Sequence, residues 1–193
     1  MKSVLISIQP KWCELIASGK KTVEVRKTRP KLETPFKVYI YCTQNNDGKI
    51  GHWLNLYCDS KLVTTDIHLE DPCYNLNGKV IGEFVCDAIF QISITYSDPE
   101  SRIALKEFPF TCLTDKQIMD YFGNGKEGYG WHISDLVIYD KPKELSEFIT
   151  PTACESTIAK HMMCNTCCLC AEFCSKKPKR ITRPFQSWGY VEG

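Results

Sequence analysis

The chain has 193 residues, of which 43% are hydrophobic, 24% charged and 11% aromatic. This composition excludes a disordered chain, which would have fewer aromatic residues and a larger net charge. The length allows one domain with its own core. No apolar stretch approaches the roughly 20 residues that span a bilayer, and the N-terminal residues lack the small-residue cleavage site of a secretory signal. We therefore expect one cytoplasmic domain over residues 1–193, without membrane association.

Charge is distributed unevenly along the chain. Residues 1–37 carry nine Lys/Arg and three Asp/Glu, and residues 175–193 carry five Lys/Arg and one Glu. Residues 38–174 carry ten Lys/Arg and nineteen Asp/Glu. If the fold brings the two basic ends together, they form one electropositive face suited to a phosphate-bearing partner. The alternative is two solvated basic segments with no such role.

The first part of the chain predicts short strands around one helix. Pro10 suits the first position of a helix that Gly19 ends. Apolar and β-branched runs on either side of this helix are typical of strands. The strands predicted here span residues 3–8, 22–27 and 36–43, and residues 44–77 are expected to form an irregular surface insertion.

The second part adds a longer strand and a second helix. A strand over residues 78–94 is expected to bend or bulge near Gly82. A helix over residues 114–123 begins at Thr114 or Asp115 and ends at Gly123. Strands without regular helical crossovers predict an α+β fold, a small, mostly antiparallel β-barrel with a few short flanking helices. The remaining predicted elements are a strand over 131–142, a helical turn over 143–149 and a last strand over 187–192.

Gly19, Lys21, Glu24 and Arg26 form the pattern GxKxxExR where the first helix turns into a strand. On this strand Glu24 and Arg26 point to one face, with Lys21 at the mouth of the turn. Arg26 can fork onto a phosphate or a base edge, and Glu24 can accept a hydrogen bond from a base amino group. These three side chains are therefore a candidate ligand site at the barrel rim. The alternative is a surface strand on which Glu24 and Arg26 pair only with each other.

This motif, after a helix of the form SIxPxxxxxIxxG, resembles the ASCH domain, a relative of the PUA RNA-binding barrel. Residues 78–87, 129–145 and 183–192 resemble the variety of this domain common in phage and Firmicutes genomes. The resemblance implies a PUA-like barrel that binds RNA or a nucleotide in a cleft lined by the motif residues. A Cys-rich insertion at about 154–174 would then precede the last strand.

The resemblance also raises two alternatives. Some small bacterial members of the family hydrolyse acetylated cytidine nucleosides with a Lys, a Thr and a Glu. Lys21 matches that lysine, but Glu24 stands where the threonine would be, so the Thr-nucleophile mechanism does not carry over. Glu127 is a candidate for the catalytic glutamate by its place in a Gly-rich loop. The first alternative is therefore an amidohydrolase with Lys21 and Glu24 as catalytic candidates, and the second is a phage-encoded factor that binds a protein through its Cys-rich segment.

Aromatic and polar side chains suggest the rest of the ligand site. Tyr129 and Trp131 follow a Gly-rich loop that would let a ligand approach the backbone, and either ring could stack on a base. The alternative is that Trp131 packs in the core, and His132 is expected to be a surface or hydrogen-bonded histidine. Gln186 and Ser187 follow a basic run and are expected to read a polar ligand edge at the rim.

Five of the twelve cysteines lie within eleven residues, between positions 164 and 174. Cys164, Cys167, Cys170 and Cys174, with His161 nearby, supply enough N and S ligands for a tetrahedral zinc ion. Their helical spacing argues against this site, because cysteines on successive turns of one helix cannot surround a metal. Free thiols or a disulfide therefore remain alternatives to structural zinc.

The zinc hypothesis has a direct test. If the four cysteines hold zinc, the purified protein carries about one equivalent per chain, and chelation lowers its Tm because metal binding contributes to folding. Elemental analysis and thermal denaturation with and without chelator measure both effects. Metal-free protein of unchanged stability would rule out the site.

Overall fold

A computed structural model gives the fold and describes residues 2–44, 53–56, 62–65, 74–93, 109–123, 126–151 and 179–192. The α-helices in these ranges are α1 (Pro10–Ala17) and α2 (Asp115–Phe122), and short 3-10 turns span Pro109–Thr111 and Leu145–Glu147. The strands are β1 (Lys2–Ile8), β2 (Val23–Arg26), β3 (Phe36–Cys42), β4 (Trp53–Leu56), β5 (Leu62–Thr65), β6 (Tyr74–Asn75), β7 (Val80–Cys86), β8 (Ile89–Ser93), β9 (Glu127–His132), β10 (Ser134–Lys143) and β11 (Trp188–Glu192).

The largest sheet has five strands in the order β10-β7-β3-β1-β11. β1 pairs in parallel with β3 and antiparallel with β11, and the other pairs in this sheet are antiparallel. Successive side chains of a strand point to opposite faces, and both faces of β1 are covered. Val4 and Ile6 belong to one apolar core, and Leu5 belongs to another. This double burial explains why residues 3–8 form an almost unbroken apolar run.

The two cores are built from different parts of the chain. On one face, side chains of α1 and of β4 pack on β1, β3 and β7, together with the fully buried Trp131. On the other face, Leu145, Phe148 and Ile181 cover Tyr39 and Tyr41 of β3. The segment that follows β10 and the segment that precedes β11 therefore both cover the face of the large sheet opposite α1.

A second sheet, in the order β2-β9-β8, supports α2. Ile118 and Phe122 of α2 pack with Val25 of β2 and Ile92 of β8. Thr114 caps the helix, because its hydroxyl accepts from the Gln117 backbone N–H while the Gln117 side chain accepts from the Thr114 backbone N–H. This is a capping box. The sheet and the cap together fix where α2 lies.

Glycines of β9 make room for aromatic rings. A Cβ at Gly128 would lie 2.0 Å from Cζ of Phe122, and a Cβ at Gly130 would lie 2.2 Å from Cε2 of Phe90. The sequence suggested that this glycine-rich stretch admits a ligand to the backbone. In the structure the close approach at these two positions is made by the protein's own rings, so Gly128 is needed for α2 to pack on the sheet.

A third sheet, in the order β5-β4-β6, lies within residues 44–77. The sequence predicted an irregular surface insertion there, and this prediction is wrong for the residues that the structure describes. Leu54 and Leu76 are fully buried in the core on the α1 side of the large sheet. The sequence does not predict the pairing of β4 with β5 and β6, because residues 44–77 lack the period-two alternation typical of strands.

The predicted barrel closure is also wrong, because the described strands form three separate sheets. The chain bends between β7 and β8 at Asp87 and Ala88, and between β9 and β10 at Ile133, so each long predicted strand divides between two sheets. β10 and β11 remain the two edges of the large sheet instead of pairing with each other. The α+β class and the mostly antiparallel pairing are confirmed.

Several local predictions are confirmed. Both helices begin and end close to the predicted residues, and the last strand forms β11. The pairing of β7 with β3 shifts register between Gly82 and Val80, which is the irregularity expected near Gly82. Neither helix in the described ranges is long and apolar enough to cross a membrane.

The fit of Phe122 against Gly128 predicts a strong coupling between these positions. Gly128→Ala should lower the free energy of unfolding by about 1–3 kcal/mol, because the added methyl group overpacks the ring. In a Phe122→Ala background the same change should cost much less, since the obstructing ring is gone. Denaturant unfolding of the two single variants and the double variant measures the coupling. Additive effects would contradict this packing role for Gly128.

Candidate functional site

The GxKxxExR motif begins where α1 ends. Gly19 has a φ of 72°, a left-handed conformation that suits glycine, and its N–H donates to the Ile16 carbonyl at 2.9 Å. The Lys21 N–H donates to the Leu15 carbonyl, also at 2.9 Å. These bonds turn the chain from α1 into β2 and direct Lys21 under the end of the helix.

The Lys21 ammonium group has an oxygen atom within reach of each of its three N–H donors. Its Nζ donates to the carbonyls of Val23 and Thr111, both at 2.7 Å, and lies 3.3 Å from Oε2 of Glu24. The side chain is almost completely buried, at 2% exposure. An ammonium group with three donors and three acceptors in reach has no free position for a ligand or a substrate. What Lys21 presents toward the cleft is therefore its charge and not a free donor.

Arg26 binds the other oxygen of the same carboxylate. Its Nη2 lies 2.9 Å from Oε1 of Glu24 and donates to the Ser7 carbonyl at 2.7 Å. Its Nη1 donates to the Ser187 hydroxyl at 3.5 Å. The buried Nε has no hydrogen-bond partner among the described residues. Arg26 thus joins β2 to β1 and to the segment that leads into β11.

The motif residues form a buried charge cluster, which we define as Lys21, Glu24 and Arg26. Glu24 is 6% and Arg26 8% exposed, so the expected position at the rim, outside the core, is wrong, and so is the alternative of a surface strand. Burial of charge is tolerated when the groups are paired and hydrogen-bonded. Two cations and one carboxylate leave the cluster with a formal charge of +1.

A cleft of about 520 Å³ lies over this cluster. Its walls come from α1, β2, α2 and the segment before β11, so residues far apart in sequence meet there. The motif contributes all three members of the charge cluster. The other polar and aromatic lining residues include Gln9, Lys11, Trp12, Gln117, Asp120, Tyr121, Gln186 and Ser187.

The predicted site residues fall into two groups. Gln186 and Ser187 line the cleft beside the charge cluster. Tyr129 and Trp131 lie on the strand paired with β2, opposite Arg26 and Glu24, but do not line the cleft. Trp131 is fully buried, with its ring 6.1 Å from that of Phe36. The half-buried Tyr129 ring lies 5.8 Å from the Arg29 guanidinium.

Other candidates lie away from the cleft. Nδ1 of His132 lies 2.6 Å from the Asp87 carboxylate, and this hydrogen bond lowers the pKa of Asp87. His132 is therefore a hydrogen-bonded surface histidine. Glu127, the candidate catalytic glutamate, is exposed and bonded to Gln91.

The cysteine cluster predicted to bind zinc (Cys164, Cys167, Cys170 and Cys174) lies outside the described residues. Within them, no group of three or more His, Cys, Asp or Glu side chains is placed to hold a metal ion. Structural zinc at the cysteine cluster stays a prediction.

Cys13 lies close enough to the charge cluster to feel its charges. Burial raises the pKa of the Cys13 thiol well above its usual value, and a hydrogen bond with Cys42 raises it further. A thiol held neutral in this way is a poor nucleophile, because the thiolate is the reactive form. Cys13 is not among the residues that line the cleft.

Sequence reasoning missed several lining residues, among them Trp12, Asp120 and Tyr121. Trp12 lies in the predicted first helix, where an apolar residue at this spacing is as typical of a core face as of a ligand site. Asp120 and Tyr121 lie at the end of a helix whose existence was predicted correctly, but nothing in the sequence pattern shows that this helix forms one wall of a cleft. The signal that was available is the spacing of Gln117, Asp120 and Tyr121, which share one helical face.

These features define an α+β protein with a cleft over a buried, positively charged cluster. The family model of the ASCH domain matches residues 6–72, about a third of the chain, which includes the whole GxKxxExR motif. No curated protein sequence matches the chain.

Solved structures of an ASCH protein from Zymomonas mobilis are similar in fold. The crystal structure of its serine-to-alanine variant has a TM-score of 0.53 at 18% identity, over 98% of this chain and 88% of that chain. The crystal structure of the ASCH protein itself has a TM-score of 0.49 at 19% identity, over 98% of this chain and 87% of that one. At 18% identity, the likeness to the variant concerns the fold alone.

The charge cluster predicts a matched set of stability effects. Glu24→Gln, which leaves two buried cations without their counter-charge, should lower the free energy of unfolding by about 3–5 kcal/mol. Lys21→Met should cost a similar amount, because it removes three contacts to buried oxygens. Lys20→Met, at the exposed neighbouring position, should change stability by less than about 0.5 kcal/mol. Denaturant unfolding compares the three variants, and equal effects at positions 20 and 21 would contradict the cluster.

Proposed function

We propose that the protein is an ASCH-domain module that binds a nucleotide or a single-stranded RNA segment in this cleft. The observation that carries the proposal is the position of the charge cluster, which places a net positive charge beneath a concave surface. Aromatic rings, amides and hydroxyls line the same surface. Nucleobases need this combination, since each base has a π-face and a polar edge.

The size of the cleft supports a ligand of this class. Sites for small molecules and cofactors have volumes of about 300–1,000 Å³ and a few polar groups that fix orientation. A cleft of about 520 Å³ accommodates one nucleoside or nucleotide, but not a duplex. The proposal is therefore that a single unstacked nucleotide enters while its neighbours remain outside.

A strip of basic residues supports contact with a backbone that continues outside the cleft. We define the basic strip as Lys27, Arg29 and Lys31, all exposed and directly after Arg26. The end of the chain lies against this strip, since Trp188 donates to the Thr28 hydroxyl at 3.1 Å and the Lys31 N–H donates to the Tyr190 hydroxyl at 2.7 Å. This contact brings part of the basic N-terminal region next to β11.

The more specific parts of the resemblance belong to the same proposal. The motif and the family match over residues 6–72 support an ASCH domain, and the resemblance of three later segments supports the phage and Firmicutes variety. Such a protein would act in the cytoplasm, where single-stranded RNA and nucleotides are found. The saturated Lys21 ammonium argues for a binding module and against the amidohydrolase alternative.

The basic strip predicts a salt-dependent affinity. Wild-type protein should bind a fluorescently labelled single-stranded RNA, with log Kobs falling linearly with log salt concentration. Each phosphate contact contributes about 0.7 to the slope for single strands, so replacing Lys27, Arg29 and Lys31 with alanine should flatten it by about 2. A control with alanine at Lys116, Lys126 and Lys141, which are exposed and outside the cleft, should keep the wild-type slope.

Fluorescence anisotropy over a salt series measures these slopes. No RNA or nucleotide binding by folded wild-type protein at low salt would overturn the proposed function. Equal salt slopes for the two triple variants would show that the basic strip does not contact the RNA backbone. Turnover of acetylated cytidine by the wild-type protein would favour the amidohydrolase instead.

A further inference from the structure

The end of α2 carries two side chains that line the cleft without being used by the charge cluster. We infer that Tyr121 stacks on the bound base and that Asp120 accepts a hydrogen bond from its exocyclic amino group. The ligand inside the cleft is then an amino-bearing base, adenine, cytosine or guanine, in preference to uracil. This inference rests on the proposed function and names the part of the ligand that the cleft recognises.

Tyr121 has an available aromatic surface. It is 38% exposed and lines the cleft, whereas the exposed Phe110 does not. Trp12 also lines the cleft, but the ammonium groups of Lys11 and Lys21 lie 4.5 and 5.6 Å from its ring centroid. Tyr121 has one such cation, Lys27, 5.0 Å from its ring centroid. Because the Tyr121 ring is exposed and Trp12 is half-buried between two ammonium groups, Tyr121 is the better platform for a base.

The Tyr121 ring is also held in place. The neighbouring Phe122 is buried in the core beneath α2, and the two ring centroids lie 5.5 Å apart. The capping box at Thr114 fixes the other end of the helix. A side chain on an anchored helix loses little freedom on binding, which favours affinity.

Asp120 differs from Glu24 in having no counter-charge among the residues that the structure describes. It is exposed, it lines the cleft, and it forms no ion pair with any residue in the described ranges. An unpaired carboxylate repels phosphate but accepts hydrogen bonds from base amino groups. Uracil has no exocyclic amino group and offers a carboxylate only its N3–H, so an Asp120 that accepts from an amino group favours the other three bases.

Lys27 links the base to the backbone path. Its Nζ lies 5.0 Å from the centroid of the Tyr121 ring, and it is the first residue of the basic strip. A base stacked on Tyr121 would therefore have a cation beside it, in position to contact the phosphate of the same nucleotide. The carboxylate of Asp120 thus lines the cleft, where the base would lie, and the basic strip lies outside it, where the phosphates would lie.

The test compares short single-stranded RNAs made only of adenosine, only of cytidine or only of uridine. Wild-type protein should bind the first two more tightly than the third. Tyr121→Ala should weaken binding of all three RNAs by about 5- to 150-fold, the range measured for base–aromatic stacking. Tyr121→Phe, which keeps the ring, should bind them as tightly as the wild-type protein. Phe110→Ala is the matched control, an exposed aromatic outside the cleft.

Asp120→Ala should have a base-dependent effect. Binding of the adenosine and cytidine RNAs should weaken, and binding of the uridine RNA should stay equal or tighten because the repulsion of phosphate is relieved. Asp140→Ala, which changes an exposed carboxylate on β10, should leave all three affinities unchanged. Circular dichroism checks that each variant is folded.

The outcomes separate this inference from the proposed function. If the wild-type protein binds RNA and Tyr121→Ala behaves like Phe110→Ala, stacking on Tyr121 is overturned while the binding function stands. If Asp120→Ala keeps the preference over uridine, the role of Asp120 is overturned. If the wild-type protein binds none of the RNAs and no nucleotide, the proposed function fails and this inference fails with it.

Discussion

The Glu24 carboxylate connects most of the parts that form the cleft. One of its oxygens faces the ammonium of Lys21, which in turn binds the Thr111 carbonyl just before α2. The other faces the guanidinium of Arg26, which binds the carbonyl of Ser7 in β1 and contacts Ser187 near the end of the chain. A single acidic side chain thus ties β2 to segments that are distant in sequence, and the cleft is the space left between them.

An apolar core would hold these segments together at a lower desolvation cost. Replacing buried ion pairs with apolar residues of similar volume is often neutral or stabilising, so stability alone does not explain the charge cluster. What an apolar replacement would lose is the formal +1 charge under the cleft and the fixed directions of its hydrogen bonds. A charge in a poorly hydrated site acts more strongly on a ligand than the same charge in water. Under the proposed function, the cluster is explained by its effect on a ligand and not by a gain in folding stability.

The sequence predicted the local geometry of the motif but not its surroundings. Period-two alternation placed Glu24 and Arg26 on one face of β2, and their 2.9 Å contact agrees with this. Alternation cannot show which elements cover that face, and the covering residues here come from the turn before α2 and from the segment near Ser187. The motif was therefore expected at the rim, although it is buried.

The same limit explains the aromatic residues. Trp131 and Tyr121 each lie in elements that were predicted, but which ring enters the core and which lines the cleft depends on packing between those elements. Phe122 lies against Gly128, and this contact sets the position of α2 and therefore of Tyr121. Neither Phe122 nor Gly128 stands out in the sequence pattern of its own element, so their contact is visible only in the folded structure.

Under the proposed function, the two sets of cations act at different stages of binding. The basic strip is exposed, so its attraction extends over about a Debye length, roughly 10 Å at 0.1 M salt, and weakens as salt increases. The charge cluster is more than nine-tenths buried, and ions in solution screen it much less. Salt should therefore change mainly how often an RNA chain reaches the cleft mouth, because association is governed by long-range charge. How firmly one base is held after it enters should depend on the buried cluster and on the end of α2, so the exposed and the buried cations have separate roles in one site.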